Sequence, residues 1–382
     1  DWTIAHVHVG TLGWNGFLTF GIFYWLFPKI YGTKLYSVRL ANMHFWLGTL
    51  GILFYCIPMY WAGFTQSLMW AEFTPDGFLK YKNFLETVTQ IIPMYVLRAL
   101  GGLFYFGSLF IMAYNLIKTA KSGTLIANEE AEAPPRSAQV IHKGGHWHRW
   151  IERRPIQLLV LSTIVILIGG VAEIFPTILI DSNIPRITSV NPYTPLELEG
   201  RDLYIREGCV GCHSQMIRPF RHEVLRYDPE NLQYSKAGEF VYDRPFLWGS
   251  KRTGPDLHRL GGKYNHSWHF RHMYDPESTS PGSIMPAYPW MIRNDLDTSH
   301  TAAKIRTLRK LGVPYQSREI ENAEKDLRTQ AMEIADQLRE EQPELKIENL
   351  DKKEIIALIA YLQRLGVDIS NGKAAEKLSS SR

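Results

Sequence analysis

Cysteine is scarce in this chain: there are three in 382 residues. Cys56 stands alone in an apolar run, and Cys209 and Cys212 lie one helical turn apart. Three thiols so placed make no disulfide framework. No second Cys-x-x-Cys completes a zinc site, and no βαβ pattern surrounds the one present, which removes the thioredoxin-like reading. The net charge of +4 is too small to imply a nucleic-acid partner. Charge is missing altogether over four stretches: Lys, Arg, Asp and Glu do not occur from Trp2 to Pro28, Leu40 to Ala71, Ala99 to Ile117 or Ile156 to Ala172. The chain opens on Asp1 without a signal peptide, which reads as a fragment whose start lies upstream.

What fills the uncharged stretches is apolar and aromatic. Each run approaches or exceeds the roughly 20 residues a spanning helix needs. They predict four transmembrane helices, over about 2–27, 41–63, 92–117 and 156–180. The 11 Trp suit interfacial belts. Lys29, Lys34 and Arg39 lie between the first two runs with no acid. Lys118, Lys121, Arg136, Lys143, Arg149, Arg153 and Arg154 lie between the third and fourth, against four Glu. Glu72, Asp76, Lys80, Lys82 and Glu86 between the second and third nearly balance. The positive-inside rule then puts the first and third loops in the cytoplasm and delivers everything after Asp181 to the periplasm.

Cys209-Val210-Gly211-Cys212-His213 is the Cys-x-x-Cys-His pattern of covalent c-type haem attachment. Its two thiols can reach the two vinyl groups of one porphyrin, and His213 can ligate the iron. Bacterial c-haem is attached in the periplasm, so motif and topology agree. A thioether is the usual partner of His in electron carriers. Of Met216, Met273, Met285, Met291 and Met332, Met285 is favoured, because Pro281 and Pro286 frame its loop. Met216 is too close to cross to the other haem face, and Met332 lies in a charged helix. His258, His266, His269 and His272 are rival ligands or candidates for a zinc site, but their spacing reads more simply as a solvated face.

His6 and His8 lie inside the first apolar run, where ionisable groups are functional candidates. Two residues on an α-helix are about 200° of rotation, so the two imidazoles point to opposite sides and suit two different metals. Arg98, at a similar depth in the third helix, has the fork geometry for a haem propionate. A snorkelling or packing role fits it equally. His44, a membrane away, reads as structural. Glu173, near the outer end of the fourth helix, has no assigned role.

The organisation that follows is all-α. Residues 1–118 hold three membrane helices, 119–154 a Pro-broken cytoplasmic linker with His146-Trp147-His148 in it, and 155–181 an anchor helix. Residues 182–368 form a soluble haem domain and 369–382 a disordered tail. Turn residues dominate Tyr242–Pro289, solvated charged helices fill Thr301–Gln342, and Lys353–Leu365 is a helix ended by Gly366.

The run Asp1-Trp2-Thr3-Ile4-Ala5-His6-Val7-His8-Val9-Gly10, followed by Gly13-Trp14, resembles the haem-ligating helix of the catalytic subunit of cbb3-type cytochrome c oxidases. Leu40–Trp46 and Tyr95–Gly102 resemble that subunit's last helices. Gly200–Cys209, Trp248–Leu257 and Met285–Trp290 resemble the mono-haem c subunit of the same enzyme. The resemblance covers roughly 1–118 and 150–366, and it departs from the family in fusing two subunits that are usually separate. It implies that His6 ligates high-spin haem b3 and His8 low-spin haem b. Electrons from a periplasmic cytochrome c would pass through haem c to these haems for reduction of oxygen to water, coupled to proton translocation. It also implies a di-haem cytochrome c subunit and the missing N-terminal helices of the catalytic subunit as partners in the bacterial inner membrane. The copper-ligating histidines and the cross-linked tyrosine fall upstream of Asp1 in the family pattern, so this chain alone is not expected to be active. The competing readings are a membrane-anchored electron carrier, which has no need of His6 and His8, and a haem sensor, for which no kinase, cyclase or DNA-binding output segment is present.

Overall fold

The absence of charge from Trp2 to Pro28 has its counterpart in the computed structural model, which describes residues 1–126, 147–179 and 187–369. Helix α1 (Trp2–His8) runs into a π-helical segment (Val9–Gly16) and on into α2 (Phe17–Ile30), with αR backbone at both junctions. π turns are rare and cluster at functional sites. Ser37 accepts from the Leu40 amide to start α3 (Val38–Ala71), and Asn83 and Glu86 form a capping box at the start of α4 (Phe84–Lys121). α3 and α4 pack along their length, with α1 laid across α3. After the short α5 (Trp147–Glu152) comes α6 (Pro155–Leu179), whose side chains are almost all exposed, as those of a lipid-bathed helix would be.

Among the described residues three helices are long and apolar enough to cross a membrane: α3, α4 and α6. The α1–α2 run predicted as a fourth span is helical throughout but is divided by the π turns. The expected boundaries move outward. α3 starts at Val38 and passes the polar Gln66 and Ser67 to end at Ala71, because no capping residue stops it earlier. Most of the predicted linker, including His146, and all but the first residue of the predicted tail lie outside the described residues.

The second half is also helical, with no strand beyond isolated bridges among the described residues. Thr194 and Glu197 cap α7 (Pro195–Arg206), and Pro195 sits at its first turn. Then follow α8 (Arg221–Tyr227), α9 (His266–Tyr274), α10 (Pro276–Thr279), α11 (Trp290–Arg293), α12 (Thr301–Lys310), α13 (Ser317–Glu321), α14 (Ala323–Glu341) and α15 (Glu354–Arg364). Ile355 to Leu362 of α15 are all buried, so this helix is the core of the domain. Each of its isoleucines contributes about 1.5–3 kcal/mol by leaving water. α15 crosses α7 at Gly200, where a Cβ would run into the Ala357 carbonyl, so only glycine allows this approach.

Two sequence expectations change here. The turn-rich Tyr242–Pro289 contains α9, and the charged helices are not wholly solvated. Leu327, Ala331, Ile334, Ala335 and Leu338 of α14 are buried in the main core.

Candidate functional site

α7 stops at Gly208, whose φ of 73° suits glycine, and a single 3-10 turn (Cys209–Gly211) follows. The amides of Cys212 and His213 both return to the Cys209 carbonyl, at 3.0 and 2.9 Å. That turn holds the two thiols, both free, on one short loop. Burial and the charge of Glu207 push the Cys209 thiol up to about 12.

His213 is fixed by what touches it. Its Nδ1 donates to the Pro255 carbonyl oxygen at 2.8 Å. Its ring lies against Gly254, where a Cβ would meet three ring atoms. Burial lowers its pKa below the ordinary value, although the Pro255 bond works the other way. The result is a neutral imidazole whose Nε2 lone pair stays available, the usual second-shell arrangement of a metal-bound histidine.

A buried polar network clamps this segment. Ser214 donates to Asp256 at 2.5 Å, and the Met216 amide donates to the same carboxylate at 2.8 Å. Arg252 donates to Ser214 Oγ at 2.7 Å, to the Met216 carbonyl at 2.8 Å and to Glu223 at 2.9 Å. Arg252 and Glu223 are buried. Arg252 and Asp256 fall within the Trp248–Leu257 run, whose sequence alone assigns neither a role. No signal in the sequence marked Glu223.

The structure separates the methionines. Met291 is fully buried and Met273 nearly so, both in the main core. Met285 is half-buried and packs against the edge of the same core, as Cys209, Val210 and Tyr288 also do. Its loop is tied over the haem motif: Tyr288 donates from its amide to the Met273 carbonyl at 2.7 Å, and Trp290 Nε1 donates to Glu207 at 3.1 Å. Met332 is exposed. The rival histidines differ from the solvated face expected of them. His258 and His269 are buried, because α9 and the 258 turn pack inward on the domain. His258 is held by Ser235 at 2.5 Å and stacks on Phe240.

His6 and His8 leave α1 in different directions. His6 is exposed and stacks on Trp2 at 5.3 Å. His8 turns toward α3: its Nδ1 donates to the Ile4 carbonyl at 2.7 Å, while Nε2 takes the Tyr55 hydroxyl at 3.1 Å. The Arg98 guanidinium lies over the rings of Tyr95 and Tyr55, at 4.9 and 6.0 Å, and so belongs to His8's side. His44 is buried between Phe20 and Tyr24 with neither ring nitrogen bonded. No cluster of three metal-ligating side chains occurs among the described residues.

The haem-motif domain rests on the end of the bundle near which α1 begins. Gln66 Nε2 donates to the Arg252 carbonyl at 3.5 Å, Arg221 to the Gly77 carbonyl at 3.1 Å, and Arg226 to the carbonyls of Lys82 and Trp70 at 3.0 and 3.4 Å. These bonds join the segment carrying His213 to the end of the bundle where His6 and His8 lie.

Comparison with known proteins divides the chain at the same place. Residues 148–369, more than half of it, match the family model "Cytochrome C oxidase, mono-heme subunit/FixO". Residues 1–104 match "Cytochrome C and Quinol oxidase polypeptide I". Among curated proteins, "Cytochrome c oxidase subunit 1 homolog" of Agrobacterium tumefaciens is 54% identical over 120 residues, 31% of this chain and 22% of that protein. The bacteroid homologue of Bradyrhizobium diazoefficiens is 52% identical over 125 residues, covering 32% and 22%. "Cbb3-type cytochrome c oxidase subunit CcoN1" of Stutzerimonas stutzeri is 41% identical over 123 residues, covering 32% and 26%. The chain thus spans about a quarter of the length of these relatives.

Proposed function

The chain belongs to the family of mono-haem cytochrome c oxidase subunits, and from that membership we propose that it is a fused piece of a cbb3-type terminal oxidase, joining helices of the catalytic subunit to the electron-accepting c domain. In the bacterial inner membrane the c domain faces the periplasm. Cys209 and Cys212 would hold haem c covalently, and His213 and Met285 would ligate its iron. His8 would hold haem b, and His6 haem b3. When bound, these groups would supply the one-electron chemistry by which a terminal oxidase draws on a cytochrome c donor to reduce oxygen to water.

The residues of the chain do the rest. Pro255 and Ile4 fix the ring orientations of His213 and His8 through Nδ1. Arg252, Glu223 and Asp256 hold the 213–216 segment in place. Gln66, Arg221 and Arg226 hold the two halves together, so that electron entry and the oxidase helices keep a constant separation. Arg98 stands ready to neutralise a propionate on His8's side. The copper ligands, a di-haem cytochrome c subunit and the proton path belong to the remainder of the enzyme.

The observation that carries this reading is the docking of the His213 segment onto the His6–His8 end of the bundle, through the Gln66–Arg252 bond. A carrier without oxygen chemistry needs no such contact. Redox difference spectra with pyridine haemochrome analysis of the full-length protein test it by counting the b and c haems. One c-haem together with b-haems is expected, and a c-haem alone would leave only the carrier.

A further inference from the structure

Asp1, one residue ahead of α1, is a buried carboxylate to which the reading above gives no role. It is 7% exposed, and a buried acid is costly unless it is bonded. Its Oδ2 accepts from the Tyr95 hydroxyl of α4 at 2.7 Å. Its main-chain nitrogen donates to Gln66 Oε1 of α3 at 2.8 Å. Gln66 is buried too, and its Nε2 is the atom that reaches the Arg252 carbonyl oxygen at 3.5 Å. One side chain thus touches both the start of α1 and the haem-motif domain.

Each end of this bridge leads to an imidazole. On the domain side Thr253 and Gly254 follow Arg252 directly. Their amides donate to the Cys212 carbonyl at 2.9 and 3.0 Å, and Gly254 lies against the His213 ring. On the bundle side the Asp1 carbonyl accepts from the Ala5 amide at 3.1 Å, which closes the first turn of α1. The Ile4 carbonyl, in that same turn, takes His8 Nδ1 at 2.7 Å. The turn is seated tightly. At Gly63 of α3 a Cβ would strike the main chain of Trp2, and Tyr95 packs on the buried Ile4 and Ala5. Short covalent runs joined by these bonds lead from Cys212 and His213 to His8, and Asp1 is where they meet the bundle.

We propose that Asp1, pinned by Tyr95 and Gln66, is the joint that couples the haem c segment to the His8 helix for electron transfer. The proposal rests on the oxidase reading above. The step it serves moves one electron: a ferrous haem at His213 becomes ferric, a ferric haem at His8 becomes ferrous, and no bond or proton changes place. Bonded contacts carry an electron better than a gap does, and an unpinned Asp1 opens a gap. Asp1 and Tyr95 are positioning residues, acting through Gln66 and Ile4.

The experiment uses the purified full-length oxidase carrying Tyr95→Phe, which removes only a hydroxyl, Gln66→Met, which removes both amide contacts at similar volume, or the two together. Pyridine haemochrome analysis gives the haem content and redox titration the potentials. The rate is read as an electron returns to haem c after carbon monoxide is photolysed from the partly reduced enzyme. Each single variant should keep its haems and both potentials and pass the electron severalfold more slowly. The double variant should be little slower than the slower single one, because both changes release the same joint. An unchanged rate in a haem-loaded Tyr95→Phe enzyme overturns the proposal. So does slowing that a shifted potential accounts for, or two slowings that multiply in the double variant. An unsubstituted protein without b-haem overturns the oxidase reading instead. Should Tyr95→Phe fail to assemble, Asp1→Asn against Asp1→Leu decides, since the two are similar in volume and only Asn accepts from the Tyr95 hydroxyl. Equal rates in that pair overturn the proposal.

Discussion

His213 donates through Nδ1 to the carbonyl oxygen of Pro255 at 2.8 Å, and this one bond settles which nitrogen can face a metal. A carbonyl can only accept, so the proton sits on Nδ1 and the lone pair on Nε2. His8 repeats the arrangement with the Ile4 carbonyl. Two imidazoles, one in the soluble domain and one in a membrane helix, are thus prepared by the same device.

The attachment motif gives the first expectation. Cys209→Ala or Cys212→Ala should remove or cripple covalent haem attachment, read as loss of the c-type pyridine haemochrome. A Cys212→Ala chain retaining doubly linked haem in full would count against the motif.

The methionines give a second. Met285→Ala should abolish the weak near-infrared thioether–iron absorption and lower the haem c potential. Met291→Ala and Met273→Ala should keep that band and instead cost about 2–5 kcal/mol of stability, because each empties space in the core. A surviving band in Met285→Ala reverses the assignment.

How much of this was legible in the sequence follows from where the causes lie. α3, α4 and α6 declared themselves by uncharged length, and the haem motif by two thiols and an imidazole at fixed spacing. Both are local signals. α9 did not, because its nine residues sit among turn residues and carry three histidines that look solvated. The burial of His269 comes from Tyr264 and from α14 and α15, which lie far along the chain. Glu223 was invisible for the same reason: its partner Arg252 is 29 positions away. Leu327, Ile334 and Leu338 form only a sparse apolar stripe among the charges of α14, and Ala331 and Ala335, which join them in the core, add little to that signal.

The Arg252 network gives a third expectation, with a sign. Burial pushes the Glu223 carboxyl up, but the hydrogen bond and charge of Arg252, helped by Arg218, outweigh it and hold the carboxyl below its ordinary value. A depressed carboxylate contributes stability above the unfolded-state pKa and loses it as pH falls through the folded one. Arg252→Gln removes the main opposing influence and leaves burial to raise the pKa. That variant should lose about 3–5 kcal/mol near neutral pH, as broken buried pairs do. Its deficit should shrink on acidification, since protonating Glu223 relieves the stranded charge. Melting curves of the two proteins from neutral pH down through the carboxylate range check this, and a gap that widens in acid would refute it.

The last expectation concerns His6 and His8. They diverge on one helix: His8 reaches Tyr55 on α3, with Arg98 over that tyrosine, and His6 stacks on Trp2 in the open. Two imidazoles so placed cannot share one metal. On the proposed function each serves its own group, since an apolar helix does not carry idle ionisable residues cheaply. A low-spin iron needs two axial ligands, so His8→Ala should remove the low-spin b signal and block internal electron transfer. A high-spin iron keeps one face open, so His6→Ala should remove the haem that binds carbon monoxide. The measurement is carbon monoxide difference spectroscopy on purified full-length variants of confirmed subunit content. If both variants lost the same signal, the two histidines would serve one haem. If an assembled His6→Ala enzyme kept normal carbon monoxide binding and turnover, the oxygen-binding haem would sit elsewhere, and this helix would be no part of an oxidase centre.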